Sequence, residues 1–367
     1  MTDTAQDTSA GGREAVVFAR IEAFRRRRPR LLDDVVTLSH GAGGKASAAL
    51  LDAVFLPAFA PDAPALQTDA AVLALPSGER LAFSTDSYVV KPLRFPGGSV
   101  GHLAVHGTVN DLAMMGARPI ALSAAFVLEE GFPIDALREI VADMAEAAAA
   151  AGVSVVTGDT KVVDRGAADG LYISTAGVGL IPAGRDLSAG KVAEGDAVLS
   201  SGTIGDHGTA VMLARGDLAL EADIESDTAP LNGLMESLLA AAPSTRWLRD
   251  ATRGGVGTVC NELARDTNLT VVLEESSLPV RPAVAAACEL LGIDPLYVAN
   301  EGKFIAVVAP EEAEAALAAL RCHPLGADAT CIGEIRAEPP GIVVLRTTLG
   351  GTRIVDMLVG DPLPRIC

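Results

Sequence analysis

The residues of this chain best suited to chemistry are a scattered set of aspartates, two lysines near glycines, and a cysteine at the very end. Asp69 and Asp86 each sit beside a strand-like run, and Asp111 follows Asn110 near the end of a helical one. Hard carboxylate oxygens of this kind hold Mg²⁺ and leave coordination positions open for phosphate. Gly158-Asp159-Thr160-Lys161 adds a carboxylate for metal, with a hydroxyl and an ammonium for phosphate. Gly41, Gly43 and Gly44, followed by Lys45 and a helical pattern, can lay backbone N–H groups around an anion, although the spacing is not that of a P-loop. The loop that starts at Asp250 and runs through Arg253 to Gly257 opens another helix, and free amides beside an arginine again suit an anion. His102 and His106 stand four residues apart, but the glutamate of a zinc H-E-x-x-H pattern is missing.

Cys367 ends the segment Asp361-Pro362-Leu363-Pro364-Arg365-Ile366-Cys367. Two prolines make this an extended, semi-rigid arm, and its seven residues span about 20 Å. A thiol beside a terminal carboxylate has its pKa held up, with Arg365 as the one nearby cation to offset it. Such an arm can carry a group on sulfur between two sites.

The elements that must position these residues alternate in type. Strand patterns at 71–75 and 80–85 read as a hairpin, followed by a Ser99-capped helix over 100–115, a strand at 120–128 and an alanine-rich helix at 133–151. A strand at 153–157 then leads into the 158–161 turn, and one at 171–180 closes the first domain. The second domain repeats the mixture: strands at 196–200, 269–273 and 304–308, helices near 207–215, 232–240, 256–266 and 281–291, then a last helix and two strands. Hairpins mixed with helices predict an α+β fold of α/β layers rather than a doubly wound sheet. We divide the chain into an extension (1–34, with a short helix near 13–24), an ATP/Mg and dimerisation domain (35–190), a C-terminal α/β domain (191–358) and a mobile tail (359–367).

Composition narrows the class. Half of the 367 residues are apolar, enough for roughly two cores. The net charge of −18 argues against nucleic acid as the main partner, and the Arg25–Arg30 run sits among acidic residues as a solvated segment. Neither a signal-type apolar start nor a run of membrane-spanning length is present, which predicts a cytoplasmic chain with no membrane partner. The five cysteines form no C-x-x-C pair, and Cys260 and Cys288 fall in helical apolar patterns as buried small hydrophobes.

In their order along the chain these motifs resemble the ATP-binding superfamily of aminoimidazole ribonucleotide synthetase, selenophosphate synthetase and thiamine-phosphate kinase. The similarity is carried by His40-Gly41-Ala42-Gly43-Gly44, Phe83-Ser84-Thr85-Asp86-Ser87-Tyr88, Gly107-Thr108-Val109-Asn110-Asp111, Gly158-Asp159-Thr160-Lys161, Asp250-Ala251-Thr252-Arg253-Gly254-Gly255 and Asn300-Glu301-Gly302-Lys303. The ending Pro364-Arg365-Ile366-Cys367 is similar, within that superfamily, to the carbamoyl dehydratase family of hydrogenase maturation. The resemblance implies a two-domain fold that dimerises through first-domain strands forming a barrel. It implies that a carbamoyltransferase loads Cys367, and that ATP and Mg²⁺ drive dehydration of the carbamoyl group to a thiocyanate. The cyanide then passes to an iron-carrying maturation scaffold complex that serves a nickel–iron hydrogenase.

The chemistry of the residues agrees with that implication. An amide oxygen leaves poorly until it is phosphorylated, and phosphoryl transfer needs a carboxylate-held metal and cations on the phosphates. Asp69, Asp86 and Asp111, with Asp159 or Asp250, are the metal candidates. Lys45 and Lys161 are the cation candidates, Lys161 with a catalytic share. Gly41, Gly43, Gly44, Asn110, Thr160 and Arg253 complete the nucleotide set. Glu301 or His40 takes the nitrogen proton. The alternatives are a small-molecule kinase or synthetase of the superfamily without use for Cys367, and a non-catalytic nucleotide-binding adaptor that docks through its tail.

Overall fold

The computed structural model describes residues 31–59, 68–216, 222–360, 363 and 365–367. The helix expected near 13–24 and the Arg25–Arg30 run lie outside the described residues. Two mixed sheets organise the rest. The first contains β1 (Ala71–Ala74), β2 (Arg80–Tyr88), β5 (Arg118–Glu129), β6 (Ser154–Val163) and β7 (Leu171–Ile181), in the order β1-β2-β7-β5-β6. Only the β5–β6 pair is parallel. A two-residue hairpin, β3 (Arg94–Phe95) with β4 (Gly98–Ser99), stands apart.

One face of the first sheet is covered and the other is open. Period-two alternation turns Ala82, Ser84 and Tyr88 of β2 and Leu171, Ile173 and Thr175 of β7 inward, toward the helix α3 (Val100–Met114). The Ser99 hydroxyl caps that helix by accepting from the Gly101 amide at 3.2 Å. Helix α4 (Ile134–Ala151) packs behind it, contributing Ile140 and Met144 to the core. The opposite face leaves Leu73, Phe83 and Leu180 exposed. Helix α1 (Lys45–Leu50) continues through a wide turn into α2 (Leu56–Phe59).

The second sheet has the order β14-β13-β10-β12-β8-β11-β9 and is covered by apolar cores on both faces along its β8-β11-β9 side. Its strands are β8 (Ala197–Ser200), β9 (Trp247–Asp250), β10 (Thr270–Glu274), β11 (Phe304–Val308), β12 (Thr330–Arg336), β13 (Val343–Arg346) and β14 (Thr352–Val355). Ile305 and Val307 of β11 face a core with α7 (Gly255–Thr267), whereas Phe304, Ala306 and Val308 face one with α6 (Asn232–Ala241) and α9 (Ala313–Cys322). The fully buried run of β11 therefore carries no polar alternation. Two further helices, α5 (Asp206–Ala214) and α8 (Pro282–Leu291), join α3 and α4 in a core shared by the two halves of the chain.

The α+β reading holds, and three local expectations are corrected. The 158–161 segment is not a turn after a strand but the middle of β6, because a parallel ladder to β5 runs through Gly158, Asp159, Thr160 and Lys161. Asp250 ends an edge strand rather than starting a loop, since Trp247–Asp250 pairs antiparallel with β11. After α9 there are three strands rather than two, β14 being a short partner of β13.

Candidate active site

The acids converge where the two halves of the chain meet. Asp69 lies just before β1, Asp111 near the end of α3 and Asp250 at the end of β9, and their ligand oxygens lie within 4.8 Å of one another. Asp111 accepts a short hydrogen bond from the Ser84 hydroxyl of β2. Asp69 is paired with Arg249 at 2.7 Å, and the same guanidinium reaches Glu262 at 2.9 Å. Burial raises the carboxyls of Asp69 and Asp111 well above the usual range, opposed at Asp69 by Arg249 and reinforced at Asp111 by Asp250 and Asp69. Asp250 is pushed up to about 6, chiefly by burial, with Arg249 acting against the rise. Three crowded carboxylates with one guanidinium beside them fit a hard divalent cation such as Mg²⁺.

A small cavity opens against this cluster. Asp86, Asp111 and Asp250 form its acidic wall, while Thr252 and Arg253 come from the loop that enters α7. The cavity is closed by Tyr88, Gly107, Glu301 and Cys367. Asp86 is raised by burial and held back by Arg253. Glu301 is 3% exposed, its Oε1 has no hydrogen-bond partner, and its carboxyl is raised well above normal by burial, then by Asp250, Asp227 and Asp86. Asn110 holds the Glu301 segment in place. Its amide donates to the carbonyls of Ala229 and Glu301, both at 3.1 Å, and its oxygen accepts from the Leu231 amide at 2.8 Å. Those bonds use both amide hydrogens of Asn110, so it cannot also donate to a nucleotide in this state.

The tail, expected as a free arm, is docked along its described residues. The Val89 amide donates to the Cys367 carbonyl at 3.1 Å and the Lys91 amide to that of Arg365 at 3.3 Å, an added-strand arrangement beyond β2. Leu363 and Ile366 are each 1% exposed within the shared core. Arg365 forms an ion pair with Asp169.

The remaining expected residues do not line the cavity. Arg253 donates to the Gly41 carbonyl, and Gly43, with φ +77°, fits against Arg253 where a Cβ would come within 3.2 Å. The glycine loop of Gly41, Gly43 and Gly44 therefore abuts the Asp250–Arg253 loop. His40 is buried by its own turn, with Nδ1 2.9 Å from the Thr37 hydroxyl and Nε2 3.4 Å from Asp33, and does not line the cavity. Lys45 pairs with Asp356 at 3.0 Å. Asp159, Thr160 and Lys161 are exposed on edge strand β6, Asp159 bonded to Lys161, away from the three-aspartate cluster within one chain. His106 is buried against Thr228, its pKa lowered to about 3 by burial and by His102, and no acid joins the pair as a metal group among the described residues.

Sequence reading missed Tyr88, Arg249, Glu262 and His207. Tyr88 had a signal, since residues two apart on a strand share a face and Asp86 was already singled out. The others are brought in by pairings between distant segments.

Two family models match the chain: AIR synthase related protein, N-terminal domain, over residues 67–181, and the corresponding C-terminal domain over residues 193–346. The carbamoyl dehydratase HypE of Rhodobacter capsulatus is 55% identical over 341 residues, covering 92% of this chain and 99% of that protein. The chain belongs to the carbamoyl dehydratase HypE family. Two solved HypE structures carry the likeness into three dimensions. One, in a HypE–HypF complex, has a TM-score of 0.80 at 47% identity, covering 84% of this chain and 100% of its own. Another, a HypE in complex with ATP, has a TM-score of 0.76 at 47% identity, covering 91% and 100%. Membership in the HypE family gives the terminal cysteine beside the acids a chemical setting.

Proposed function

We propose that this chain is an ATP-dependent dehydratase that converts a carbamoyl group on the Cys367 thiol to a thiocyanate, a source of cyanide for hydrogenase maturation. The single observation that carries the reading is that Cys367, Asp86, Asp111, Asp250, Arg253 and Glu301 line one cavity. The relatives that bear the carbamoyl dehydratase name, and a relative solved with ATP, support it.

The residues divide the work. ATP bound with Mg²⁺ supplies the phosphoryl group that turns the amide oxygen into a departing phosphate, so that loss of the C–O bond and the N–H protons leaves C≡N on sulfur. Asp69, Asp111 and Asp250 would hold the metal, with Asp86 at their edge. Arg253 faces the transferred charge, and the Gly41–Gly44 loop lies within its reach. Glu301 is the proton-handling group, since it lines the cavity and His40 does not. The tail's backbone pairing with Val89 and Lys91 orients the sulfur, lowering the entropy cost of reaction. The other two expected cations and their neighbours remain part of the reading: Lys45 beside the glycine loop, and Asp159, Thr160 and Lys161 on the open β6 edge.

The chain acts as a homodimer through the open apolar face of the first sheet, in the cytoplasm. Its partners are a carbamoyltransferase, consistent with the relative solved as a HypE–HypF complex, and an iron-carrying scaffold complex. No helix among the described residues is long and apolar enough to cross a membrane. Mass spectrometry of the C-terminal peptide after incubation with carbamoyltransferase, carbamoyl phosphate and ATP tests the reading. A carbamoyl adduct on Cys367 that loses the mass of one water only when ATP is present is expected. ATP turnover indifferent to carbamoylation would instead favour the small-molecule kinase alternative.

A further inference from the structure

Tyr88 ends β2 with its ring in the core and its hydroxyl at the cavity. It is 1% exposed, yet its hydroxyl has no well-formed hydrogen bond, although Asp86 and Thr108 are near. A buried hydroxyl left unpaired costs stability, so a protein keeps one where another molecule satisfies it. Space has been made for it: a Cβ on Gly107 of α3 would lie 2.2 Å from the hydroxyl oxygen, so no other residue type fits beside Tyr88 in this position. The same cavity holds Cys367 and Glu301, and at ≈ 30 Å³ with the tail seated it admits a group of a few atoms, not a nucleotide.

We propose that Tyr88 is a substrate-contacting residue whose hydroxyl hydrogen-bonds the carbamoyl nitrogen on Cys367, turning the carbamoyl oxygen toward the acidic cluster. A carbamoyl group on sulfur rotates about its C–S bond, and only one orientation presents oxygen rather than nitrogen for phosphorylation. A phenol both donates and accepts, so it stays bonded to nitrogen as the two N–H protons are lost. Glu301 on the same cavity wall receives one of those protons and the departing phosphate carries off the other, while Tyr88 sets the orientation. The inference rests on the dehydratase reading above.

The test is Tyr88→Phe, which removes one oxygen and keeps the ring. Chain and variant are loaded with carbamoyl phosphate by carbamoyltransferase, then mixed with Mg-ATP, and the C-terminal peptide is followed by mass in a single turnover. The variant is expected to load normally, bind Mg-ATP normally and show an unchanged or higher Tm. Its dehydration should be about 10- to 100-fold slower, the loss of one oriented hydrogen bond to the reacting group. Equal dehydration rates overturn the inference. A fall in Tm or in ATP affinity alongside the rate overturns it as well, because the hydroxyl is then structural. If the unaltered, loaded chain never dehydrates, the dehydratase reading itself fails, an outcome separate from either result for Tyr88.

Discussion

His207 Nε2 lies 2.7 Å from the carbonyl oxygen of Ile366, the residue before the terminal cysteine. The ring is fully buried, packed edge-on to Phe95, and burial lowers its pKa, so it is neutral and donates from Nε2. Its Nδ1 then accepts from the Ser226 hydroxyl at 2.8 Å. A second-domain histidine thus sets how the thiol enters the cavity. The Arg365–Asp169 ion pair helps less, because both side chains are about one-third exposed and such pairs are worth about 0–1 kcal/mol.

Loosening this anchor should move two readouts in opposite directions. His207→Ala should raise the alkylation rate of Cys367 and lower single-turnover dehydration, each by about tenfold, the worth of one buried hydrogen bond. Asp169→Asn should change both by less than about threefold. Peptide-resolved mass spectrometry is needed, since Cys322 and Cys331 are exposed and will react too. Cys260 serves as the internal control, its thiol pushed up to about 12 by burial. Alkylation unchanged in His207→Ala would show that the anchor does not hold the tail.

Cys367→Ala should leave the fold and Mg-ATP binding intact and abolish dehydration. The other cysteines lack the means to replace it: Cys260 and Cys288 are buried, and Cys322 and Cys331 lie outside the cavity. Nitrile formation persisting in this variant would refute the role of the tail.

Mg²⁺ binding should weaken in acid. A metal must displace protons from carboxyls whose pKa is raised, and Asp250 titrates near 6. Affinity should fall by up to about tenfold per pH unit below that value for each proton displaced. The same raised pKa destabilises the metal-free fold as pH rises from the ordinary carboxyl range through 6, because the unfolded chain ionises more readily. Asp250→Asn is therefore expected to raise the metal-free Tm and to abolish the Tm increase caused by Mg²⁺. Calorimetric titration with Asp86→Asn and Asp111→Asn should show weaker Mg-ATP binding in both; unchanged affinity would place the metal elsewhere.

The contact between β5 and α6 should make folding acid-sensitive. Glu236 accepts from Arg185 at 2.8 and 2.9 Å and from Arg118 at 2.9 Å, which lowers its carboxyl to about 2. A depressed acid stabilises above its unfolded pKa, near 4.5, and that share is lost as pH falls toward 2. Allowing for solvent screening of a partly exposed group, the contribution is on the order of 1–2 kcal/mol. Denaturant unfolding of Glu236→Gln should show that loss at pH 7 and a smaller difference from the unaltered chain at pH 3.

What the sequence determined alone is the set of elements and most of the acids. Periodicity located α3, α4 and β11 nearly to the residue, because their apolar spacing is dictated by burial on one or both faces. Asp69, Asp86, Asp111, Asp250, Arg253, Glu301 and Cys367 were legible because polar residues at the ends of apolar runs stand out, and the resemblance named their chemistry. Only the tertiary structure decided which of them meet. Asp69 and Asp250 are brought together by the pairing of two sheets' edges with α3, and no local pattern encodes a contact across so much chain. The tail read as free because its two prolines make it extended and seven residues cannot build a core of their own. It is docked because Leu363 and Ile366 find a core built by α3, α5 and α8, a gain that depends on surfaces the tail does not contain. Asp159 and Lys161 read as turn residues for the same reason: the ladder to β5 that makes them strand is written in residues 121–129, not in their own.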